Sequence, residues 1–169
     1  MIFFLRLPCT YRLGGSKSLE LSGGTNLTLG TGDQDMTVVL HLDGELVLSG
    51  ESSIQLKPRT KMVMYINGDA TFSGGSSTRP EDAQIYVYGK RKVTLSGGSG
   101  ASLFLFAPDS AVTFSGGSNI SGAVWARSWK GSGSSFLIEK NVDPSQLKVM
   151  LPNSQRFESI QSWQRQAVN

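Results

Sequence analysis

Short runs of alternating apolar and polar residues recur along this chain, and each run ends in a turn sequence. Between residues 101 and 130 the runs SLFLF, AVTF and GAVWA are separated by PDS and SGGS. Alternation of this kind predicts a β-strand whose side chains point to two faces in turn, and the Pro, Gly, Asp and Ser clusters predict corners. The stretch therefore predicts strand, corner, strand, corner, strand.

A Ser-Gly pair marks the end of one strand in each repeat. The serines of this mark, including a weaker copy at the last position, are Ser22, Ser49, Ser73, Ser96, Ser115 and Ser132. Their successive separations are 27, 24, 23, 19 and 17 residues. Repeats of this length are typical of solenoids, whose units stack because no single unit buries its own apolar face. Apolar residues do not recur at helical spacing, which excludes a helical solenoid.

A second alternating run precedes each Ser-Gly mark, as in TVVLHLDG, MVMYINGD and QIYVYGK. Two strands and two corners per unit match a coil of a parallel β-helix better than a propeller blade. We predict an all-β fold, a single-domain right-handed parallel β-helix (β-solenoid) of about five to six coils, with loops at one corner of the longer early coils. Asp43-Gly44 and Asn67-Gly68 also suit hairpin turns, so an antiparallel sandwich or barrel is the alternative.

Three parts follow along the chain. Residues 1–13 are predicted to form an N-terminal strand or cap, residues 14–140 the β-solenoid, and residues 141–169 a C-terminal capping tail. The open end of a solenoid has an unpaired strand edge that recruits other chains unless it is covered. The apolar run MIFFL is too short for a membrane span or a signal peptide.

Alternation also separates inward from outward side chains in the solenoid. Inward positions include Val63, Ile66, Ile85 and Leu105. At the opposite parity lies an aromatic stripe, which is the candidate surface for a partner or a glycan: Tyr65, Tyr86, Tyr88, Phe104, Phe106 and Trp125. Aromatic rings offer a large apolar area to a sugar or a protein. The alternative is that the stripe packs under the N-terminal strand or the tail.

Glycines at the Ser-Gly corners are predicted to supply the positive φ that a sharp corner requires. These corner glycines are Gly23, Gly24, Gly50, Gly74, Gly75, Gly97, Gly98, Gly116 and Gly117. Phosphate-binding loops need a Lys after the glycines, which these corners lack.

The charged residues and the potential catalytic or metal-binding residues limit the classes of function that we expect. Charged residues make up 17% of the chain and the net charge is +3. The basic residues do not interleave with aromatic ones, so we predict no nucleic-acid binding. His41 is the single histidine, Cys9 the single cysteine, and Asp33 and Asp35 are too few for a calcium loop. We predict no enzyme, no cofactor and no metal.

The C-terminal half resembles a known family. Ala107-Pro108, Val112 to Gly116, Gly122 to Ser128 and Ser162-Trp163 are similar to a bacterial β-helical domain of uncharacterised function, found at the end of PilX-type type IV pilus assembly proteins and related surface proteins. Members usually carry an N-terminal membrane helix, and we expect none from the apolar run MIFFL. The resemblance implies an extracytoplasmic surface module and carries over no catalytic residue.

We therefore expect a non-enzymatic, extracellular or cell-surface structural protein of a bacterium, the β-solenoid subunit of a surface filament or a pilus-associated adhesin. Its expected partner is itself, joined end to end or by strand donation, or another surface protein. A glycan-binding module that uses the aromatic stripe is the alternative, and a bactofilin-like cytoskeletal polymer is the third.

Overall fold

The computed structural model describes residues 4–5, 10–73, 82–96, 100–117, 119–133 and 136–139. All strand pairs recorded within these residues are parallel. In chain order the strands are β1 (Phe4–Leu5), β2 (Thr10–Leu13), β3 (Leu19–Leu21), β4 (Asn26–Leu29), β5 (Met36–Leu42), β6 (Leu46–Leu48), β7 (Ser53–Leu56), β8 (Thr60–Ile66), β9 (Ala70–Phe72), β10 (Ala83–Val87), β11 (Lys92–Leu95), β12 (Gly100–Phe114), β13 (Asn119–Gly131) and β14 (Phe136–Glu139).

These strands stack into two long ladders. The first ladder contains β2, β5, β8, β10, the first halves of β12 and β13, and β14. The second contains β3, β6, β9, β11 and the second halves of β12 and β13. From β2 to β13 the chain visits the first ladder and then the second in each coil, which confirms the predicted parallel β-solenoid. Its right-handed sense follows the general preference of parallel crossovers and stays a prediction.

The early coils contain a third strand that the sequence interpretation missed. The strands β1, β4 and β7 form a separate three-stranded parallel sheet, in which Leu27 pairs with Ile54 and Leu29 with Leu56. The extra residues of the early coils were predicted to be loops, and this was wrong. Part of the added length is a third face, and Leu27, Leu29 and Ile54 bury their side chains in the common core.

In the late coils one continuous strand passes from the first ladder to the second. Pro108-Asp109-Ser110 was predicted to be a corner between two strands, whereas β12 runs continuously from Gly100 to Phe114. Its register with β13 shifts between Ala107 and Ala111, so the change of direction is a bulge within one strand. Ser110 is buried there, and its hydroxyl donates to the Gly89 carbonyl at 2.8 Å and accepts from the Arg91 amide at 3.2 Å.

The core consists of inward side chains stacked in columns along the coil axis. Partners in one column of the first ladder are Leu40, Met64, Ile85 and Leu105, and in one column of the second ladder Leu48, Phe72, Leu95 and Phe114. All of these side chains are buried. The inward assignment of Val63 was wrong: Met62, Met64 and Ile66 join the core, and Val63 packs in a second cluster with Tyr65 and Tyr86 on the outer face.

The predicted end segments have different outcomes. In residues 1–13, β1 pairs with β4 and β2 pairs with β5. The predicted capping tail, residues 141–169, lies outside the described residues. None of the described residues form a helix long and apolar enough to cross a membrane.

Candidate functional site

The aromatic stripe follows the outer face of the first ladder. His41, Tyr65, Tyr86, Phe106 and Trp125 are successive partners in one column. The last four of these were predicted to point outward from alternation. They lie together because the parallel register repeats the same face on successive coils. His41, which the sequence analysis did not include, extends the stripe toward the N-terminal coils.

Neighbouring rings along the stripe are in contact. The centroid distances are 4.8 Å between His41 and Tyr65, 5.3 Å between Tyr65 and Tyr86, 5.9 Å between Tyr86 and Phe106, and 6.1 Å between Phe106 and Trp125. Aromatic pairs at these separations stabilise a fold beyond the area that they bury. The stripe is therefore a packed cluster, as well as a surface.

Burial divides the stripe into two groups. Tyr65, Tyr86 and Phe104 are buried, whereas Tyr88 and Trp125 have 44% and 38% of their surface exposed. Burial raises the pKa of Tyr65, Tyr86 and Tyr88, because the phenolate loses hydration. Only the exposed rings of the stripe offer substantial area to a ligand.

Five of the predicted corner glycines fall in described residues and have positive φ: Gly23 at 60°, Gly24 at 75°, Gly50 at 56°, Gly116 at 64° and Gly117 at 79°. Gly74, Gly75, Gly97 and Gly98 lie outside the described residues. These corners shape the coil and contain no ligand-binding chemistry that the structure describes.

Two other glycines fit a close approach between coils. A Cβ on Gly44 would lie 2.6 Å from the Ser16 carbonyl oxygen, and one on Gly68 would lie 2.4 Å from the Gly44 carbonyl oxygen. Both positions were predicted as corners that follow a strand of the solenoid, with hairpin turns as the alternative. Their shared place after a strand in successive repeats was the signal that they stack.

Within the described residues, the second ladder begins with β3 and ends with the second half of β13. The inward column Leu19, Leu46, Ala70, Val93, Val112 and Trp129 runs through it. Val112 is 1% exposed, whereas Trp129, in the last strand of the column, is 64% exposed and touches Phe114 edge-on at 6.4 Å. Leu19, in the first strand, is half-buried.

No further strand covers these two edges within the residues that the structure describes. On the C-terminal side, β14 pairs only with Asn119–Gly122 of β13, so the segment Ser128–Gly131 has β12 as its recorded neighbour. On the N-terminal side, β3 pairs with β6. We call Leu19–Leu21 the N-terminal edge and Trp129–Gly131 the C-terminal edge. Neither edge was predicted from the sequence as a functional surface.

Residues 11–145 match the family described as "Domain of unknown function (DUF7305)". The chain belongs to this family. No curated protein and no solved structure matches it. The matched range of the DUF7305 domain includes the aromatic stripe and both edges of the second ladder, so all of these features lie within the family's domain.

Potential metal ligands are scattered over the described part of this DUF7305 domain. Among its described residues, no three His, Cys, Asp or Glu side chains are grouped so that they could hold a metal ion. Asp35 instead accepts hydrogen bonds from Arg59 at 3.0 and 3.2 Å. This contact holds the pKa of the Asp35 carboxyl below its usual value. The pair fixes a corner at which Arg59 has a φ of 64°.

Proposed function

We propose that this chain is a non-enzymatic structural protein of the bacterial cell surface, a β-solenoid subunit that assembles end to end in an extracellular filament or a pilus-associated adhesin. The observation that carries the proposal is the exposure of Trp129 in a column whose preceding member, Val112, is almost fully buried. Within the described residues this column ends in an exposed Trp and is therefore an unfinished core. Another solenoid coil would complete it.

Exposed strand edges support the same proposal. The backbone groups of an uncovered parallel edge pair readily with another strand, and native proteins usually cover or charge such edges. A contact between the two different ends of a solenoid is heterologous and does not close, so it extends into a filament. End-to-end assembly would continue the second ladder from each subunit into the next.

Self-assembly can be tested with the purified full chain. We expect the weight-average mass in sedimentation equilibrium to rise with protein concentration, and electron microscopy to show unbranched filaments. Fibre diffraction from aligned filaments should give a reflection at about 4.8 Å along the axis, because the strands lie across it. A monomer at every concentration up to the solubility limit would contradict the proposal.

The cellular location needs a separate experiment. Intact cells that produce the protein are treated with a protease that cannot cross the envelope, with a cytoplasmic protein as the control. Digestion of this chain alone is the expected result for a surface filament or adhesin. Protection from protease, combined with filament formation in vitro, would instead favour a cytoskeletal polymer of the bactofilin kind.

A second candidate function is glycan recognition, which the exposure of Tyr88 and Trp125 favours. Sugars stack on such rings, and loss of the rings removes the apolar contact. The double variant Tyr88→Ala, Trp125→Ala should lose binding on a glycan array while Trp129→Ala keeps it. If the unchanged protein binds nothing on a broad array, this candidate is wrong.

A further inference from the structure

We propose that two copies of this chain join in register through the second ladder, so that the C-terminal edge of one copy pairs in parallel with the N-terminal edge of the next. In this junction Trp129 lies beside Leu19, Lys130 beside Glu20 and Gly131 beside Leu21. The inference rests on the proposed self-assembly and names its partner, a second copy of this chain, and its register.

The register comes from the columns that already exist within one copy. Leu19 and Trp129 are the first and last described members of one inward column. Through the same pairings Glu20 and Lys130 begin and end the adjacent outward column, and Leu21 and Gly131 the next. A shift by one residue would turn every inward side chain of the incoming strand outward, so the column order specifies the register.

Charge favours this pairing of unlike ends. Glu20 and Lys130 are exposed, and the four positions between them in their column are uncharged: Val47, Thr71, Thr94 and Thr113. Side chains of paired residues in adjacent strands lie close enough to interact, and opposite charges there stabilise the pair. Joining two C-terminal edges would place Lys130 beside Lys130, which is unfavourable. Head-to-tail contact is the arrangement in which the charges complement each other.

Apolar contact acts in the same direction. Trp129 is the most exposed large apolar side chain described, and Leu19 is half-buried at the opposite end of the column. Stacking one on the other would remove both from water, which is the main source of free energy in association. The Trp129 ring would then be enclosed between Phe114 of its own copy and Leu19 of the next.

Among the described residues, the strands of the first ladder are compatible with this junction. Strand β14 pairs with Asn119–Gly122 of β13. Thr10 and Arg12 of β2, in contrast, fall in the columns of Ala123 and Trp125. The β2 strand of an incoming copy would therefore lie beyond β14 along the strand direction, and the two strands would not compete for the same positions.

A charge exchange tests the partner. Glu20→Lys and Lys130→Glu should each weaken the end-to-end association constant by about tenfold, because attraction at every junction becomes repulsion. Mixing the two variants, or combining both changes in one chain, restores opposite charges at every junction and should restore assembly. The matched control is the double variant Glu51→Lys, Lys90→Glu, which exchanges exposed charges outside both edges and should assemble like the unchanged protein.

A cysteine pair tests the register. In a Cys9→Ser background, Glu20→Cys with Lys130→Cys would place the two Cα atoms about 4.8 Å apart across the junction, within the range of a disulfide. Five strand spacings, about 24 Å, separate these positions within one copy, so every disulfide must join two copies. Glu20→Cys with Ser128→Cys is the control, since a displacement of two residues puts the Cα atoms about 8 Å apart.

The outcomes separate the inference from the function on which it rests. Covalent oligomers from the first cysteine pair and few from the control, together with rescue by charge exchange, would support the junction. Filaments that form without either effect would overturn this junction and leave self-assembly standing. A chain that remains monomeric under all conditions would overturn both.

Discussion

The strands β5 and β10 belong to the same ladder, two coils apart, and they bury their side chains differently. In β5 buried and half-buried residues alternate strictly, so that one face is in the core and the other is partly solvated. In β10 every residue from Ala83 to Val87 is buried. Strands at the same position in the repeat therefore bury one face in the early coils and both faces in the late coils.

Coil length accounts for part of this difference. Partners Val39 and Val63 are 24 residues apart, whereas Gln84 and Phe104 are 20 residues apart. The early coils include a third sheet whose side chains fill the interior, and a shorter coil encloses less volume. The late coils add a second apolar cluster on their outer face, with Tyr65, Tyr86 and Phe104 at its centre. Successive coils of one solenoid can thus bury apolar side chains either in the central core or in a cluster on the outer face.

Removal of one aromatic ring from each region should give the largest difference in stability. Tyr86→Ala should lower the free energy of unfolding by about 3 to 5 kcal/mol, because it removes a buried aromatic side chain. His41→Ala changes the same column in the early coils, where the side chain is half-buried, and should cost less than about 1 kcal/mol. Urea unfolding at a concentration where the chain is monomeric measures both. Equal losses would show that the outer face contributes alike in the two regions.

The stacked corners offer a second contrast, of smaller expected size. A Cβ on Gly68 would lie 2.4 Å from a backbone carbonyl, whereas a Cβ on Gly89, where φ is 75°, would meet only the Arg91 side chain at 3.9 Å. Gly68→Ala should cost about 1 to 3 kcal/mol through crowding, and Gly89→Ala about 1 kcal/mol through backbone conformation.

Asparagine separates the two causes, because it tolerates positive φ better than alanine does. Gly89→Asn should recover part of the stability that Gly89→Ala loses, while Gly68→Asn should be at least as unstable as Gly68→Ala. Thermal unfolding of the four variants gives the comparison. Recovery at Gly68 would mean that backbone conformation, and not space, limits the early corner.

The order of strands in the ladders could be predicted from the sequence, but the side of each strand that faces the core could not always be predicted. Ser-Gly marks and alternation located the strands, since both depend on local chemistry that each repeat contains. The run Met62-Val63-Met64-Tyr65-Ile66 is apolar at both parities, so alternation could not decide which side faces the core there. The third sheet was missed because β4 and β7 lie in the longest intervals between Ser-Gly marks, where no repeated mark indicates an additional strand.

The candidate surfaces were predictable only in part. Parity correctly placed Tyr65, Tyr86 and Trp125 on one outer face, but it could not show which of them are buried, because burial depends on neighbours from other coils. The edges were harder still. Glu20 and Lys130 are far apart in sequence, and their place in one column becomes visible only when the register of five successive pairings is known.

Alkaline pH should destabilise the outer cluster of the late coils, and this is the smallest effect that we expect. Burial raises the pKa of Tyr86 above its ordinary value of about 10. Below pH 10 the phenol is neutral in both the folded and the unfolded chain, and its contribution to stability is complete. As the pH rises above 10, the unfolded chain releases the proton while the folded chain retains it, so stability falls by about 1 kcal/mol near pH 11. Tyr86→Phe keeps the ring and should remove this part of the pH dependence. If the variant loses stability between pH 9 and 11 as steeply as the unchanged protein, the outer cluster of the late coils is not the source of the alkaline sensitivity.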